Sequence, residues 1–530
     1  MNDARSEPVR ISRRTALQLG AAAALGVWVG RSRATEPAPR QRVLVLGAGL
    51  AGLTAALELS RRGHDVRVLE WQQRVGGRVY STSRGLAQGQ IAELGAARIP
   101  DIHDFTWHYV RQFKLTTSQF PEGRGRYQVN GKAFLQPPAG QPWPLALRAD
   151  ELRDPVHFAA RRLAQASRDF NKVGPDWPSA ELSRKFDQFT VVDWLRKTDA
   201  SPELIGLYIA ANGGRVRENG ALLEGIQEIL EEDIKSFAAI KGGNDSLPKA
   251  MADELGKRVL TGARVESIQR FDDRIEVVAR HEGEEDRPYR YVADQVICAL
   301  PATILREIPI EPALPPLHQQ ALAAVQYSRA SKTVIQTQTR FWNDLGVTGL
   351  VIAGTDTSAE RVWDVGVLQG GSMGLLHQYC MAGHDELDRL SAPARWQHTV
   401  ALLSGVLPGL SEQTVYASHW DWSQQPWVKG GIPNLRPGTG AYLRVLPRAA
   451  GRLHFAGDYT TIWAGWMQGA IQSGVRAAQE IDPVIGWQPS AQNDVHRAKE
   501  MQAVAILSRD LRAAAVSDPT RRALLFPQYL

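Results

Sequence analysis

The chain has 530 residues, 43% hydrophobic and 22% charged, which argues against disordered, collagen-like and polytopic membrane classes and leaves length for two or three domains. Two cysteines, Cys298 and Cys380, are too few for a disulfide framework or a four-ligand zinc site and read as core thiols. The net charge of +6 does not argue for nucleic acid, because the first 34 residues supply +4 of it through six arginines set against Asp3 and Glu7.

In chain order, Arg10 to Arg14 precede an apolar, alanine-rich run from Leu17 to Val29, followed by small residues and the proline-bearing stretch 36–39. That design predicts an export signal over residues 1–34, since a spanning helix needs about 20 apolar residues; an uncleaved N-terminal anchor with membrane association is the alternative. Ser12-Arg13-Arg14-Thr15-Ala16-Leu17-Gln18 resembles the twin-arginine motif, with Ala16 and Gln18 in place of the usual Phe and Lys. The resemblance implies the twin-arginine export machinery as a partner. The expected destination is the bacterial periplasm, with the thylakoid lumen or the exterior as alternatives.

Beyond the linker, Arg42 to Leu46 predicts a strand, Leu50 to Arg62 a helix and Asp65 to Glu70 a second strand, together a βαβ unit. Residues 81–140 are mixed, and 145–235 carry helical spacing. Strands are expected over 258–260, 275–279, 295–300, 332–339 and 374–379, then a strand, glycine-rich turn and helix over 452–481. The tail from 483 to 530 predicts an amphipathic helix around 495–515.

Gly47-Ala48-Gly49-Leu50-Ala51-Gly52 lies between the first strand and its helix, and Glu70 closes the second strand. Gly47 suits the tight turn, Gly49 the close approach of a pyrophosphate, Gly52 the packing of helix on strand, and the helix N-terminus favours phosphate. Glu70 can accept bonds from both hydroxyls of an adenosine ribose. The motif predicts a dinucleotide.

Arg74-Val75-Gly76-Gly77-Arg78 resembles the RxGGR extension of FAD-binding amine oxidases. Residues 451–460, ending Ala456-Gly457-Asp458-Tyr459-Thr460, with Ala464-Gly465-Trp466-Met467, resemble the C-terminal flavin segment of the flavin monoamine oxidase superfamily, and Leu94-Gly95-Ala96-Ala97-Arg98-Ile99-Pro100 resembles the LGxxRxP segment of its L-amino acid oxidases. This likeness implies a Rossmann-type α/β FAD-binding domain (40–80, 240–325 and 445–482), a mixed-sheet substrate domain (81–140 and 326–444) and a helical domain (145–235). It assigns Gly47, Gly49, Leu50, Ala51, Gly52, Glu70, Arg78, Gly95, Ala96, Ala97, Arg98, Val265, Gly457, Asp458, Gly465, Trp466 and Met467 to the cofactor.

For substrate, the likeness implies Arg98 and Tyr379 as the clamp on an α-carboxylate, completed by a backbone group of Gly465. A planar guanidinium suits a carboxylate through two parallel bonds. Trp422 and Trp466 would wall the site, and Lys332 would hold a water at flavin N5 and serve the reaction with molecular oxygen. Gln227 stands where some relatives carry a histidine base, and Ile432 where monoamine oxidases carry the cysteine bonded to FAD, so non-covalent FAD is expected. No histidine spacing implies a metal.

The expected reaction is FAD-dependent oxidative deamination of an L-amino acid to a 2-oxo acid, ammonia and hydrogen peroxide, by a homo-oligomer that binds no nucleic acid. Glu231, where some relatives place an aromatic, points to basic substrates, arginine first. An amine or polyamine oxidase, a dehydrogenase feeding a quinone, a decarboxylating monooxygenase and a non-catalytic FAD sensor are the alternatives.

Overall fold

The computed structural model describes residues 39–486 apart from 139, 153–154, 156–184, 212–219, 223–233, 356, 358, 382–386 and 388. The leader, Gln227, Glu231 and the expected tail helix lie outside the described residues.

Arg42–Leu46 is a buried strand whose alternate side chains enter two different cores. Val43 and Val45 pack with the helices Leu50–Arg61, Ser246–Leu255 and Met467–Ile481, while Leu44 and Leu46 pack with the antiparallel strands Ala263–Arg270 and Ile275–His281. The strand pairs in parallel with Asp65–Leu69 on one side and Gln295–Cys298 on the other; Val259–Leu260 and Leu453–Phe455 form the edges of this five-stranded sheet. In such parallel sheets ligands bind beyond the carboxyl ends of the strands. Cys298 and Cys380 are both buried, and neither is in a disulfide.

Glycines set two close approaches here. A Cβ on Gly52 would stand 2.0 Å from the carbonyl oxygen of Gly47, and one on Gly474 would stand 2.3 Å from that of Ala51, where the C-terminal helix crosses the fingerprint helix.

The second sheet has seven strands in the order Thr414–Asp421, Ser331–Thr337, Gly374–Cys380, Arg361–Asp364, Ile352–Thr355, Arg126–Val129 and Lys132–Leu135. Its register puts Trp420, Lys332, Tyr379 and Arg361 in one cross-strand row, hence on one face. A small sheet of Ile99–Pro100, Phe237–Ile240 and Thr117–Gln119 adjoins it. In the helical region, Val191–Lys197 is nucleated by a reciprocal capping box between Thr190 and Asp193, and Pro202–Ala211 follows.

Several strands escape the sequence pattern. Pro288–Ala293 is an edge strand with an exposed outer face and proline at its start, and Thr414–Asp421, at the edge of the large sheet, is half-buried along most of its length. Neither shows the apolar run that marks a central strand.

Candidate active site

A cavity of about 350 Å³ runs from the carboxyl ends of the parallel sheet to the row of side chains on the seven-stranded sheet. In chain order, the first, second and fourth strands of the parallel sheet each deliver a wall residue immediately beyond their ends, respectively Gly47, Glu70 and Ala299, and the fifth delivers Gly457 two residues beyond its end. Tight turns make this geometry. Gly47 has φ +100° and Gly76 φ +102°, in the left-handed region where a side chain is strained.

At the nucleotide end Glu70 is buried, and its two carboxylate oxygens accept from the backbone N–H groups of Ala48 (2.7 Å) and Gln72 (2.9 Å). Burial pushes its pKa up. A Cβ on Gly49 would meet nothing within 4 Å, so the cavity floor at the helix N-terminus is open backbone, and the first turn of Leu50–Arg61 carries no acid to compete for an anion. Arg78 donates to Gly431 O (2.7 Å) and to both oxygens of Asp458, which also accepts from Gly465 N–H (2.9 Å). An uncluttered glycine floor, a helix N-terminus and a buried acid able to accept further hydroxyl bonds fit an adenine dinucleotide. Ile432 lines the cavity and neither cysteine does, so no thiol of the described lining can bond a flavin.

At the other end the Arg98 guanidinium lies 4.3 Å from the ring centroid of Trp363, 5.2 Å from Phe237, 5.3 Å from Tyr379 and 6.0 Å from Trp466. It is half-buried, and no described carboxylate stands within ion-pair distance of it. Lys332 is buried, its Nζ 4.3 Å from the Tyr379 ring, and it donates to the main-chain oxygens of Glu93 (2.8 Å) and Gly95. Burial lowers its pKa, against the opposing effects of Tyr379 and Glu93. Burial alone would raise the Tyr379 phenol; the Lys332 and Arg98 cations outweigh it and bring it below its ordinary value.

Of the residues singled out from sequence, Gly47, Gly49, Leu50, Ala51, Glu70, Arg78, Gly95, Ala96, Ala97, Arg98, Lys332, Tyr379, Trp422, Gly457, Asp458, Gly465, Trp466 and Met467 all line this cavity. Gly52 does not, being packed on Gly47. Val265 is not among the residues lining this cavity, and its side chain packs in the core between the parallel sheet and the antiparallel strands. The N–H of Gly465 is engaged by Asp458, which leaves only its carbonyl for a substrate. Trp422 also braces the Arg98 segment, donating from Nε1 to Leu94 O at 2.9 Å. Glu231 lies outside the described residues.

Sequence reasoning missed Trp363 and Phe237, the aromatic neighbours that flank Arg98, and Arg361, which lines the same wall. The alternation within Arg361–Asp364 was the available signal: Arg361 and Trp363 are two residues apart and share the sheet face of Tyr379.

A model of the flavin-containing amine oxidoreductases matches residues 50–482. The chain is 28% identical over 464 residues to an L-amino-acid oxidase of Demansia vestigiata, covering 83% of this chain and 87% of that one. It is 27% identical over 474 residues to a putative L-amino-acid oxidase, YobN, of Bacillus subtilis (strain 168), covering 83% and 95%. Among solved structures, putrescine oxidase bound to putrescine superposes with a TM-score of 0.71 at 23% identity, covering 84% of this chain and 99% of that one, and cyclohexylamine oxidase from Brevibacterium oxydans IH-35A with 0.70 at 24%, with the same coverage. The structural likenesses establish the amine-oxidase fold, and the family match establishes FAD as the cofactor. With the family match spanning most of the chain and the dinucleotide cradle built as described, this protein belongs to the flavin-containing amine oxidoreductases.

Proposed function

We propose that this flavoenzyme oxidatively deaminates L-amino acids, with Arg98 as the group that distinguishes them from simple amines. The supporting observation is the Arg98 guanidinium held among Trp363, Phe237, Tyr379 and Trp466, facing the cavity with no described carboxylate partner. In a low-dielectric wall such a cation favours a ligand that brings its own carboxylate. FAD, when bound, would supply the acceptor for the Cα hydride and the route for its electrons to oxygen. Arg98 and Tyr379 orient the carboxylate, the carbonyl of Gly465 faces the amine, the tryptophans exclude water, and Lys332 holds a proton at Nζ. The imino acid released hydrolyses to a 2-oxo acid and ammonia.

For the side chain we propose basic substrates, arginine first. The support is Glu231 in the sequence, where a carboxylate would pair with a guanidinium. One experiment tests both levels: bleaching of the flavin under nitrogen by L-arginine, L-lysine, L-leucine, L-phenylalanine, agmatine and cadaverine, followed by admission of oxygen with peroxide and ammonia assayed. Bleaching by the amino acids and not by the two decarboxylated amines is expected. Faster bleaching by the amines would overturn the L-amino acid reading, and faster bleaching by leucine or phenylalanine would overturn the basic preference alone.

We further propose periplasmic export in the folded, FAD-loaded state, supported by Arg13-Arg14 before the apolar run. Replacing both arginines by lysine should leave the flavoprotein in the cytoplasm; its undiminished appearance in the periplasm would refute the twin-arginine route.

A further inference from the structure

Behind Lys332 lies a buried carboxyl that no step above uses. Glu93 is 6% exposed, its Oε1 accepts from Asn244 N–H and its Oε2 from the Ser81 hydroxyl, both at 2.7 Å. Its own N–H donates to His377 Nε2 (3.3 Å), which makes His377 a neutral imidazole with its proton on Nδ1. Its carbonyl oxygen receives Lys332 Nζ at 2.8 Å. One residue therefore aims the lysine through its main chain and carries in the same buried pocket a carboxyl whose charge the ammonium feels without a direct ion pair. The carboxyl has only neutral donors, a hydroxyl and an amide. A group needed merely to tie Ser81 to Asn244 would serve as well as a glutamine, without the cost of a buried charge.

We propose that Glu93 is a positioning residue for Lys332: its carbonyl orients Nζ, and its carboxylate is the counter-charge that keeps Nζ protonated during re-oxidation of the cofactor. The inference deepens the oxidase reading and rests on it for the role of oxygen. The charged and titratable groups around the pair are few. The Glu93 carboxyl feels the charges of Lys332 and Asp245, and its N–H donates to the neutral His377; Lys332 feels Tyr379, Glu93 and Arg98 and acts in turn on His377. Asp245 is itself paired to the exposed Lys249 at 2.8 Å, so the Glu93 carboxylate and the Tyr379 phenol are the two acidic groups left to balance Lys332, and Glu93 is the carboxylate of the two. Burial pushes Glu93 up to about 7, which puts its ionisation in the range where the effect can be titrated.

The test reduces the holoenzyme with dithionite, so that no amino acid is needed, and follows re-oxidation by oxygen against pH in wild type, Glu93→Gln, Glu93→Asp, Lys332→Met and the Gln/Met double variant. Loss of an adjacent opposite charge lowers an ammonium pKa by about one unit or more, so the alkaline limb of the Glu93→Gln profile should move down by about that much, an approximately tenfold slowing between the two limbs. Glu93→Asp should restore it, and Glu93→Gln should add nothing in the Lys332→Met background. The midpoint potential of the bound flavin gives a second reading whose sign decides the matter. If Lys332 loses its proton with its counter-charge, the potential falls in Glu93→Gln above the shifted limb. If Lys332 stays charged, removing the anion raises the potential, and the proposal is overturned; an unmoved profile and potential overturn it equally. Should Glu93→Gln fail to retain FAD, Ser81→Ala removes one hydrogen bond from the carboxylate, and a smaller shift in the same direction is required. Failure to re-oxidise with oxygen at any pH would refute the oxidase reading, while the potential still judges Glu93.

Discussion

Arg98 and Lys332 are both cations in the wall of one cavity, yet their surroundings set them to different work. Arg98 is bounded by ring faces, which favour a cation without satisfying its five N–H donors. Lys332 already donates to two carbonyl oxygens. Arg98→Ala should therefore keep its FAD and lose about 3 kcal/mol or more of transition-state binding for an amino acid, because the carboxylate is left buried and unpaired. Steady-state kcat/KM with L-arginine measures it, and an unchanged value would exclude the clamp. Lys332→Met should slow re-oxidation of the flavin more than its reduction, since the side chain is proposed to act on the oxygen side. Rapid-mixing traces showing equal effects on the two half-reactions would contradict that assignment.

Among elements, the pair of helices Leu50–Arg61 and Met467–Ile481 binds the two ends of the chain into one cofactor site. Gly474 lies against the carbonyl of Ala51, one residue from the start of the helix whose N-terminus faces the cavity. Gly474→Ala forces backbone apart from backbone, and overpacking of that kind costs about 1–3 kcal/mol. We expect a lower melting temperature together with weaker FAD retention, measured by flavin release on dilution. A variant that melts lower while holding FAD as tightly as wild type would show that the crossing does not set the position of the helix N-terminus. The strand Ser331–Thr337 has a comparable standing in the second sheet: it pairs with both Gly374–Cys380 and Thr414–Asp421, and so fixes Lys332 in one row with Tyr379.

For the molecule as a whole, burial leaves an acid-sensitive signature. Desolvation lowers His103 to about 3 and His318 and His419 to about 4, and holds His377 well below 6.5. Below pH 6.5 the unfolded chain binds these protons and the folded chain does not, so their contribution to stability is complete above 6.5 and is lost as pH falls toward 3 to 4. Glu93 and Asp364 oppose the trend, because burial raises them to about 7 and about 6 and their contribution fades as pH rises. Burial also raises Glu70 and Asp187 and lowers His108, so among the described residues five imidazoles stand against four carboxyls between pH 5 and 6. The urea midpoint should therefore rise with pH across that interval, and a flat or falling midpoint would show that the buried imidazoles take up protons in the native state.

What the sequence determines by itself is whatever depends on neighbours close along the chain. The strand Arg42–Leu46, the turn at Gly47, the helix Leu50–Arg61 and the acid Glu70 follow from branched side chains, glycines and helical spacing within a single βαβ unit. The dinucleotide cradle was legible for that reason, and the likeness of the segments around Arg78 and Asp458 to a known family added the flavin. The strands with polar outer faces were not legible, since half of their pattern is indistinguishable from a loop. Nor was the aromatic enclosure of Arg98, because Phe237, Trp363, Tyr379 and Trp466 come from four separate segments and meet only when two sheets pack against each other. Glu93 makes the same point most sharply. In sequence it is an acid beside a glycine motif; only tertiary structure removes it from water and places it against Lys332, and desolvation, which no linear pattern encodes, is what turns its charge into a functional quantity.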